Sequence, residues 1–221
     1  MIDYLKILVT DMRVWDYFLN HEKLVFVRQI KRSDQEYDVI TKEYKGITFV
    51  FHEKCLWIYF KPHYFFNDNL HNSNDFTVYD CIGVLSDFLE VFREVRKELL
   101  ECPVINLEFG VNVISPIYVK ELLDSILYHG KNLFRIQENL PYSKISSKIR
   151  QNGKANDYKM IKAYAKGLQV FPGYDNQHHP NTFRFEVKSK QSKYINRLGI
   201  KIFGDLLNLQ IYETLADHIL I

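Results

Sequence analysis

The sequence predicts an α+β fold in which antiparallel sheet is covered by a long helix. Three features carry this reading. Four short β-rich runs follow one another between residues 24 and 61, with connections too short for parallel crossovers. One long helical apolar repeat occupies residues 76 to 101, and a pair of strand-like segments around 157 to 166 and 182 to 190 brackets a polar loop. Two related α/β halves are expected. Residues 1–140 hold the first sheet and the long helix, residues 141–221 hold a basic hairpin and C-terminal helices, and the two can merge into one compact domain.

The elements follow in order from local pattern. IDYLKILV (2 to 9) reads as a strand, and Asp11 caps a short helix to about Asn20 whose Val14, Tyr17 and Phe18, with Trp15 beside them, face inward. LVFVRQI (24 to 30), EYDVITKEY (36 to 44), ITFVFHE (47 to 53) and CLWIYFK (55 to 61) form a meander, because β-branched and aromatic residues recur in them between short polar turns. Such a sheet needs cover on one face. After an Asn-rich polar loop, PHYFFNDNLHNSND, the helix over 76 to 101 supplies it: Leu85, Phe88, Leu89, Phe92, Val95 and Leu99 recur at helical spacing, and Asp75 is the N-cap. CPVINLEFGVNV (102 to 113) returns as a strand with Glu108 directed opposite to Leu107 and Phe109. Ser115-Pro116 opens a helix to about His129, Ser capping and Pro in the first turn, and NLFRIQE adds a strand. Near the C-terminus, QSKYINRLGI and KIFGDLLNLQIYETLADHILI read as two helices broken near Gly199. The apolar ending ADHILI points either to a longer protein or to a homodimer through this helix.

Composition narrows the class. With 221 residues, 47% hydrophobic and 15% aromatic, the chain can bury a substantial core. No apolar run approaches the roughly 20 residues that span a bilayer, and MIDYLKILVTD lacks the basic start and apolar stretch of a signal peptide, so a cytoplasmic protein without membrane contact is expected. Cys55, Cys81 and Cys102 form no CxxC pair and read as reduced, buried thiols.

Charge is divided unevenly. From Pro141 to Gly204 there are thirteen Lys or Arg against three acids, a net of +10 in a chain whose total is +2, which leaves −8 for the remainder. A basic block on an acidic body is the pattern of a chain that meets a polyanion on one side, nucleic acid first and an anionic membrane second. YSKISSKIRQNGKAND (142 to 157) opens this block as a DNA-contacting loop or a linker. The segment DYKMIKAYAKGLQVFPGYDNQHHPNTFRFEVKSK (157 to 190) then alternates so that Phe183, Phe185 and Val187 share one face and Arg184, Glu186 and Lys188 the other. Paired as a hairpin, its polar face would carry Tyr164, Lys166, Arg184, Glu186 and Lys188, a set suited to phosphodiester chemistry and equally suited to a solvated sheet face.

Taken together, IDYLKI, PHYFFN…HNSNDF, NLEFGVNV, YKMIKAYAKGLQ, TFRFEVKSK and LGIKIFGDLLN resemble the replication-initiation proteins of Bacteroidetes phages and plasmids. These are distant relatives of the rolling-circle initiators and of the filamentous-phage gene II protein, and the resemblance runs over almost the whole chain. It implies an enzyme that nicks one DNA strand at an origin, single-stranded or in a hairpin. A tyrosine would attack the phosphodiester, leaving a 5′-phosphotyrosine and a free 3′-hydroxyl, while a divalent metal, Mg or Mn, held by carboxylates polarises the phosphate. The family's Y-D-K pattern falls on Tyr164-Ala165-Lys166 and its R-x-E pattern on Arg184-Phe185-Glu186. Tyr164 is thereby the expected nucleophile, Lys166 and Arg184 the phosphate clamps, and Glu186 a metal ligand with Glu108 as the second carboxylate. Lys148, Arg150, Lys154, Lys162, Lys188 and Lys190 join Arg184 as expected DNA contacts.

The chain departs from the pattern at Ala165, where an Asp is expected, and it has no His-hydrophobic-His pair. Tyr194, with Lys190 and Lys193 nearby, and Tyr158, on the strand of Tyr164 and on its face if pairing is regular, compete as nucleophile. The alternative function is a catalytically silent, sequence-specific DNA-binding protein on the same scaffold; a structural protein with a basic face is the third reading.

Overall fold

A computed structural model of the chain describes residues 1–31, 37–72, 74–137, 142–170 and 179–220, with backbone only at 170 and 220. The turn at 33–35, the first residue of the run at 36, and most of the loop between the two hairpin strands, including His178, lie outside the described residues.

The strands join into one antiparallel sheet. In chain order they are β1 (Ile2–Val9), β2 (Val25–Lys31), β3 (Asp38–Tyr44), β4 (Ile47–Phe51), β5 (Leu56–Phe60), β6 (Val104–Ile114), β7 (Tyr128–His129), β8 (Asn132–Ile136), β9 (Ser143–Ile149), β10 (Ala155–Ala165) and β11 (Thr182–Ser189). Across the 11-stranded sheet the order is β2-β3-β4-β5-β1-β6-β11-β10-β9-β8-β7. The meander of β2 to β5 forms as its short turns require, and β1 returns beside β5 with Leu5 opposite Phe60 and Ile7 opposite Ile58. Strands from both expected portions join the one sheet, β6 pairing with both β1 and β11 and β8 with β9.

Alternation gives the sheet two unlike faces. One carries Leu5, Ile7, Phe49, Ile58, Leu107, Phe109, Val187, Ile161 and Ala163, all buried in a single apolar core. The helices bring their apolar stripes to it. Phe18 of α1 (Met12–Asn20) lies 5.0 Å from Phe49 and Phe92, and Phe88 of α3 (Val78–Val91) lies 5.2 Å from Phe60. Each such phenyl ring removed from water contributes roughly 1.5–3 kcal/mol before entropy is counted. Val119 and Leu123 of α5 (Val119–Ser125), Ile195 of α7 (Ser192–Arg197) and Leu215 of α8 (Leu209–Leu220) complete this layer. The other face carries Tyr4, Lys6, Asn106, Glu108, Arg184, Glu186, Lys188, Lys162 and Tyr164. Among the described residues no helix is long and apolar enough to cross a membrane.

Several local expectations are corrected. The single helix over 76 to 101 is three pieces: α3, a 3-10 turn at Arg93–Val95 and α4 (Arg96–Leu100). Phe92 leaves helical geometry at φ −114° and ψ 41°, while its ring meets Phe18, Tyr44, Phe49 and Phe88, so the aromatic cluster breaks the helix. The cap of α3 is Thr77, not Asp75, because Thr77 and Asp80 form a reciprocal capping box. The Ser115 helix begins only at Val119 and ends at Ser125, Ser115 instead accepting a turn bond from the Ile117 amide at 3.3 Å. Within the Asn-rich loop, Pro62–Phe66 forms a short helix, α2. Residues 142 to 157 are neither loop nor linker but β9, a turn, and the start of β10. After α7 the chain turns at Gly199 (φ +84°), as expected, but Phe203–Leu207 is a 3-10 turn that precedes α8.

Candidate functional site

Register places the polar side chains. Along β10 and β11, Tyr164 faces Arg184, Lys162 faces Glu186 and Met160 faces Lys188; across β11 and β6, Lys188 faces Glu108, Glu186 faces Gly110 and Arg184 faces Asn112. Gly110 has a steric reason: a Cβ there would stand 2.5 Å from the Phe185 carbonyl oxygen and 2.9 Å from Glu186 Cγ. Its absence lets the Glu186 stem lie over β6.

Arg184 is the hub and is fully buried. Its Nη2 pairs with Asp3 Oδ2, its Nε donates to Glu186 Oε1 at 2.8 Å, and its Nη1 donates to Asn112 Oδ1 at 2.6 Å and to the Asn72 carbonyl at 3.3 Å. Burial works against its charge, but the charges of Asp3 and Glu186 outweigh that and hold it protonated. Burial likewise works to raise Asp3, and Arg184 with His63 holds it well below the usual carboxylate range. His63 stacks on Phe76 at 4.5 Å, meets Asn74 Oδ1 through Nε2 at 2.9 Å, and turns Nδ1 toward Asp3 Oδ1 at 3.8 Å.

In front of this hub lies an open cleft of about 580 Å³ whose walls include Asp3, Tyr4, Glu108, Lys162, Tyr164, Lys166, Glu186, Lys188 and Lys190. The Tyr164 hydroxyl donates to Glu186 Oε1 at 2.6 Å. Burial first, then the Glu186 charge, pushes the phenol well above its ordinary value near 10. Lys166, at the start of α6 (Lys166–Val170), donates to Asn72 Oδ1 at 2.5 Å. Burial and the Arg184 charge push it down to about 8. Lys162 Nζ lies 3.3 Å from Glu108 Oε2 and 3.5 Å from Glu186 Oε2, and Lys188 Nζ pairs with Glu108 Oε1. Burial lowers the Lys162 pKa, but the two carboxylates raise it by more.

Next to the cleft, on the same face, a second groove of about 530 Å³ includes Lys6, Asn106, Lys190 and Lys193. Lys6 Nζ stands 3.3 Å from the centre of the Trp57 ring and 4.9 Å from that of Tyr59, and Lys188 approaches Tyr4 at 5.9 Å. Lysines interleaved with partly exposed aromatic rings thus continue the cleft toward β5.

The site residues expected from sequence divide accordingly. Tyr164, Lys166, Glu186, Glu108, Lys162, Lys188 and Lys190 come together around the cleft. Arg184 stands behind its wall rather than on it, every guanidinium nitrogen turned to a protein oxygen. Tyr194 sits on the helical side, packed against Tyr158 at 5.2 Å and His218 at 6.2 Å, its phenol pushed up to about 12 by burial and then by Tyr158. Tyr158 does not share a face with Tyr164: the register shifts between Ala155 and Met160, and its hydroxyl accepts from Arg197 Nη1 at 3.0 Å. Lys148, Arg150 and Lys154 are exposed toward the far turn of β9 and β10, away from the cleft, where Arg150 lies 3.8 Å from Asp157. His179, beside the undescribed His178, is exposed.

Sequence reasoning missed Asp3, Asn112 and the Lys6–Trp57 pair, and it took Asn72 for a DNA-contacting or capping residue where the Asn72 carbonyl accepts from Arg184 and its Oδ1 from Lys166. Asp3 carried a signal, an acid in phase with the buried Leu5, Ile7 and Val9 of its strand. Asn112 carried none, since it meets Arg184 from 72 residues away in sequence. No family model matches this chain, and no curated protein matches it.

Proposed function

We propose that this protein acts on DNA, cleaving one strand by transfer of a phosphodiester to Tyr164, in the manner of a rolling-circle replication initiator. The observation that supports this most is the 2.6 Å hydrogen bond from the Tyr164 hydroxyl to Glu186 on the wall of a lysine-rich cleft. A phenol whose pKa is raised is a poor nucleophile until a base takes its proton, and Glu186 stands within reach to do so. As the phenolic oxygen bonds to phosphorus, its proton passes to Glu186 and the bond from phosphorus to the 3′ oxygen breaks. That leaves a 5′-phosphotyrosine and a 3′-hydroxyl. Lys166, protonated below about pH 8, neutralises the phosphate and can give a proton to the departing oxygen. The Trp57, Tyr59 and Tyr4 rings with Lys6 offer bases a stacking surface beside the cleft.

The resemblance implies Mg or Mn between Glu108 and Glu186. Both carboxylates turn an oxygen to the Lys162 ammonium, which already lies between them. This donor set does not fit a divalent ion, and no step above passes through one.

The second reading, a silent DNA-binding protein, draws on the same buried phenol: Tyr164 is engaged as a donor and strongly held in its protonated form. One experiment separates the two. Wild type and Tyr164→Phe are incubated with end-labelled single-stranded and supercoiled origin DNA, with EDTA, Mg²⁺ or Mn²⁺, and run on denaturing gels. A protein–DNA adduct formed by wild type and lost in Tyr164→Phe is expected. Salt-sensitive binding with no adduct under any condition would overturn the nickase reading, and an adduct retained in the variant would overturn Tyr164 as its nucleophile.

A further inference from the structure

We propose that Lys162 is the resident cation of this cleft: its ammonium occupies the position between Glu108 and Glu186 that a divalent metal would take, so that phosphodiester is bound by lysine charge alone. This rests on reading the cleft as a phosphodiester site.

The sheet register builds the arrangement. Lys162 stands directly opposite Glu186 on β11, and Lys188 directly opposite Glu108 on β6, so two cross-strand acid–base pairs lie side by side and Lys162 closes the diagonal. Each of the four carboxylate oxygens then has a partner. Glu108 Oε1 has Lys188 and Oε2 has Lys162; Glu186 Oε1 has Arg184 and Tyr164, and Oε2 has Lys162. The carboxylates and ammonium groups are largely withdrawn from water, with side-chain exposures of 13% for Glu108, 6% for Glu186 and 24% for Lys162. Displacing the ammonium would therefore strand a charge in partly desolvated surroundings.

The charge balance points the same way. Asp3, Glu108 and Glu186 are matched one for one by Arg184, Lys162 and Lys188, and Lys61, Lys166 and Lys190 add positive charge at the wall, Lys190 with Asp157 3.8 Å away. A divalent cation would enter a region already positive, and the two carboxylates it would use beside water and phosphate oxygens already hold the Lys162 ammonium between them. A phosphodiester anion, in contrast, meets an unmatched Lys166 and two lysines held in place by their acids.

The test is titration of the intact protein with Mn²⁺ alone, followed by electron paramagnetic resonance of free Mn²⁺. Wild type is expected to show no saturable site up to millimolar metal. Lys162→Ala, which leaves Glu108 and Glu186 facing each other, is expected to gain one site at least tenfold tighter, and Lys162→Ala/Glu186→Gln to lose it again. Circular dichroism checks that the variants fold; the wild-type titration needs no variant. A saturable wild-type site abolished by Glu108→Gln or Glu186→Gln would overturn the proposal, and so would a Lys162→Ala protein that folds and gains no site. The adduct assay keeps the two readings apart. An adduct formed in EDTA supports both, an adduct that strictly needs Mg²⁺ or Mn²⁺ overturns only this one, and absence of any adduct overturns nicking while the Mn²⁺ titration still decides the role of Lys162.

Discussion

Replacing Arg184 by Met tests the hub directly. The guanidinium is fully buried and pairs with Asp3 and Glu186, whose side chains are each 6% exposed. Removing one member of a buried ion pair costs about 3–5 kcal/mol, because the remaining charge is left desolvated. Here Glu186 keeps Lys162 and Tyr164, so Asp3 is the group chiefly abandoned. The expected loss is therefore about 4 kcal/mol, a large share of the roughly 5–15 kcal/mol that holds a domain together. For a chain of this size that corresponds to a melting point lower by about 8–16 °C. Urea denaturation followed by Trp15 and Trp57 fluorescence measures it. The pH dependence supplies a second readout. Folded Asp3 lies below its unfolded pKa, so its pairing stabilises the protein above about pH 4 and is lost as pH falls further. In Arg184→Met only His63 and the N-terminal ammonium still oppose the effect of burial on Asp3, so its pKa rises, and the variant's deficit is largest near neutrality and narrows as pH falls toward 4. Asp3→Leu combined with Arg184→Met removes both charges and should recover about 2–3 kcal/mol of the summed single losses. A single-variant loss below about 1 kcal/mol, a deficit independent of pH, or strict additivity in the double variant would refute the buried-pair account.

Other consequences are quicker to check. Affinity for a short phosphorylated oligonucleotide should fall as pH rises through about 8, where Lys166 loses its proton, and Lys166→Arg should abolish that dependence in fluorescence-anisotropy titrations. Tyr164→Phe should cost only about 0.5–1.5 kcal/mol in denaturant, since Glu186 retains Arg184 and Lys162, so any lost activity is not lost folding. Gly110→Ala should lower stability by about 1–3 kcal/mol, because its methyl would meet the Phe185 carbonyl and the Glu186 stem. Trp57→Ala should weaken single-stranded DNA binding by about 1–3 kcal/mol in anisotropy titrations. Under native conditions at pH 8, Ellman's reagent should leave Cys81 and Cys102 unmodified, since both are buried and Cys102 is pushed up to about 12.

What the sequence determined by itself was alternation and its local consequences. Period-two patterning marked the meander of β2 to β5, the strand of Glu108 and the hairpin of β10 and β11, and it put Tyr164, Glu186 and Lys188 on one face, where they are found. Alternation is a property of the chain itself, since side chains point to opposite faces whatever lies nearby. Which face would be covered, and by what, depended on partners distant in sequence. Arg184 alternates as an exposed residue does, yet it is fully buried because Asp3 and Asn72 reach it from β1 and from the segment after α2. Lys166 and Asn72 meet although 94 residues separate them. The helix expected over 76 to 101 breaks because Phe92 enters a cluster with Phe18 and Phe49, rings from other elements. The polar segment of 142 to 157 became strand because β9 pairs with β8 on one side and with β10 on the other. In each case the deciding energy is desolvation and pairing across long sequence separations, which tertiary structure alone arranges.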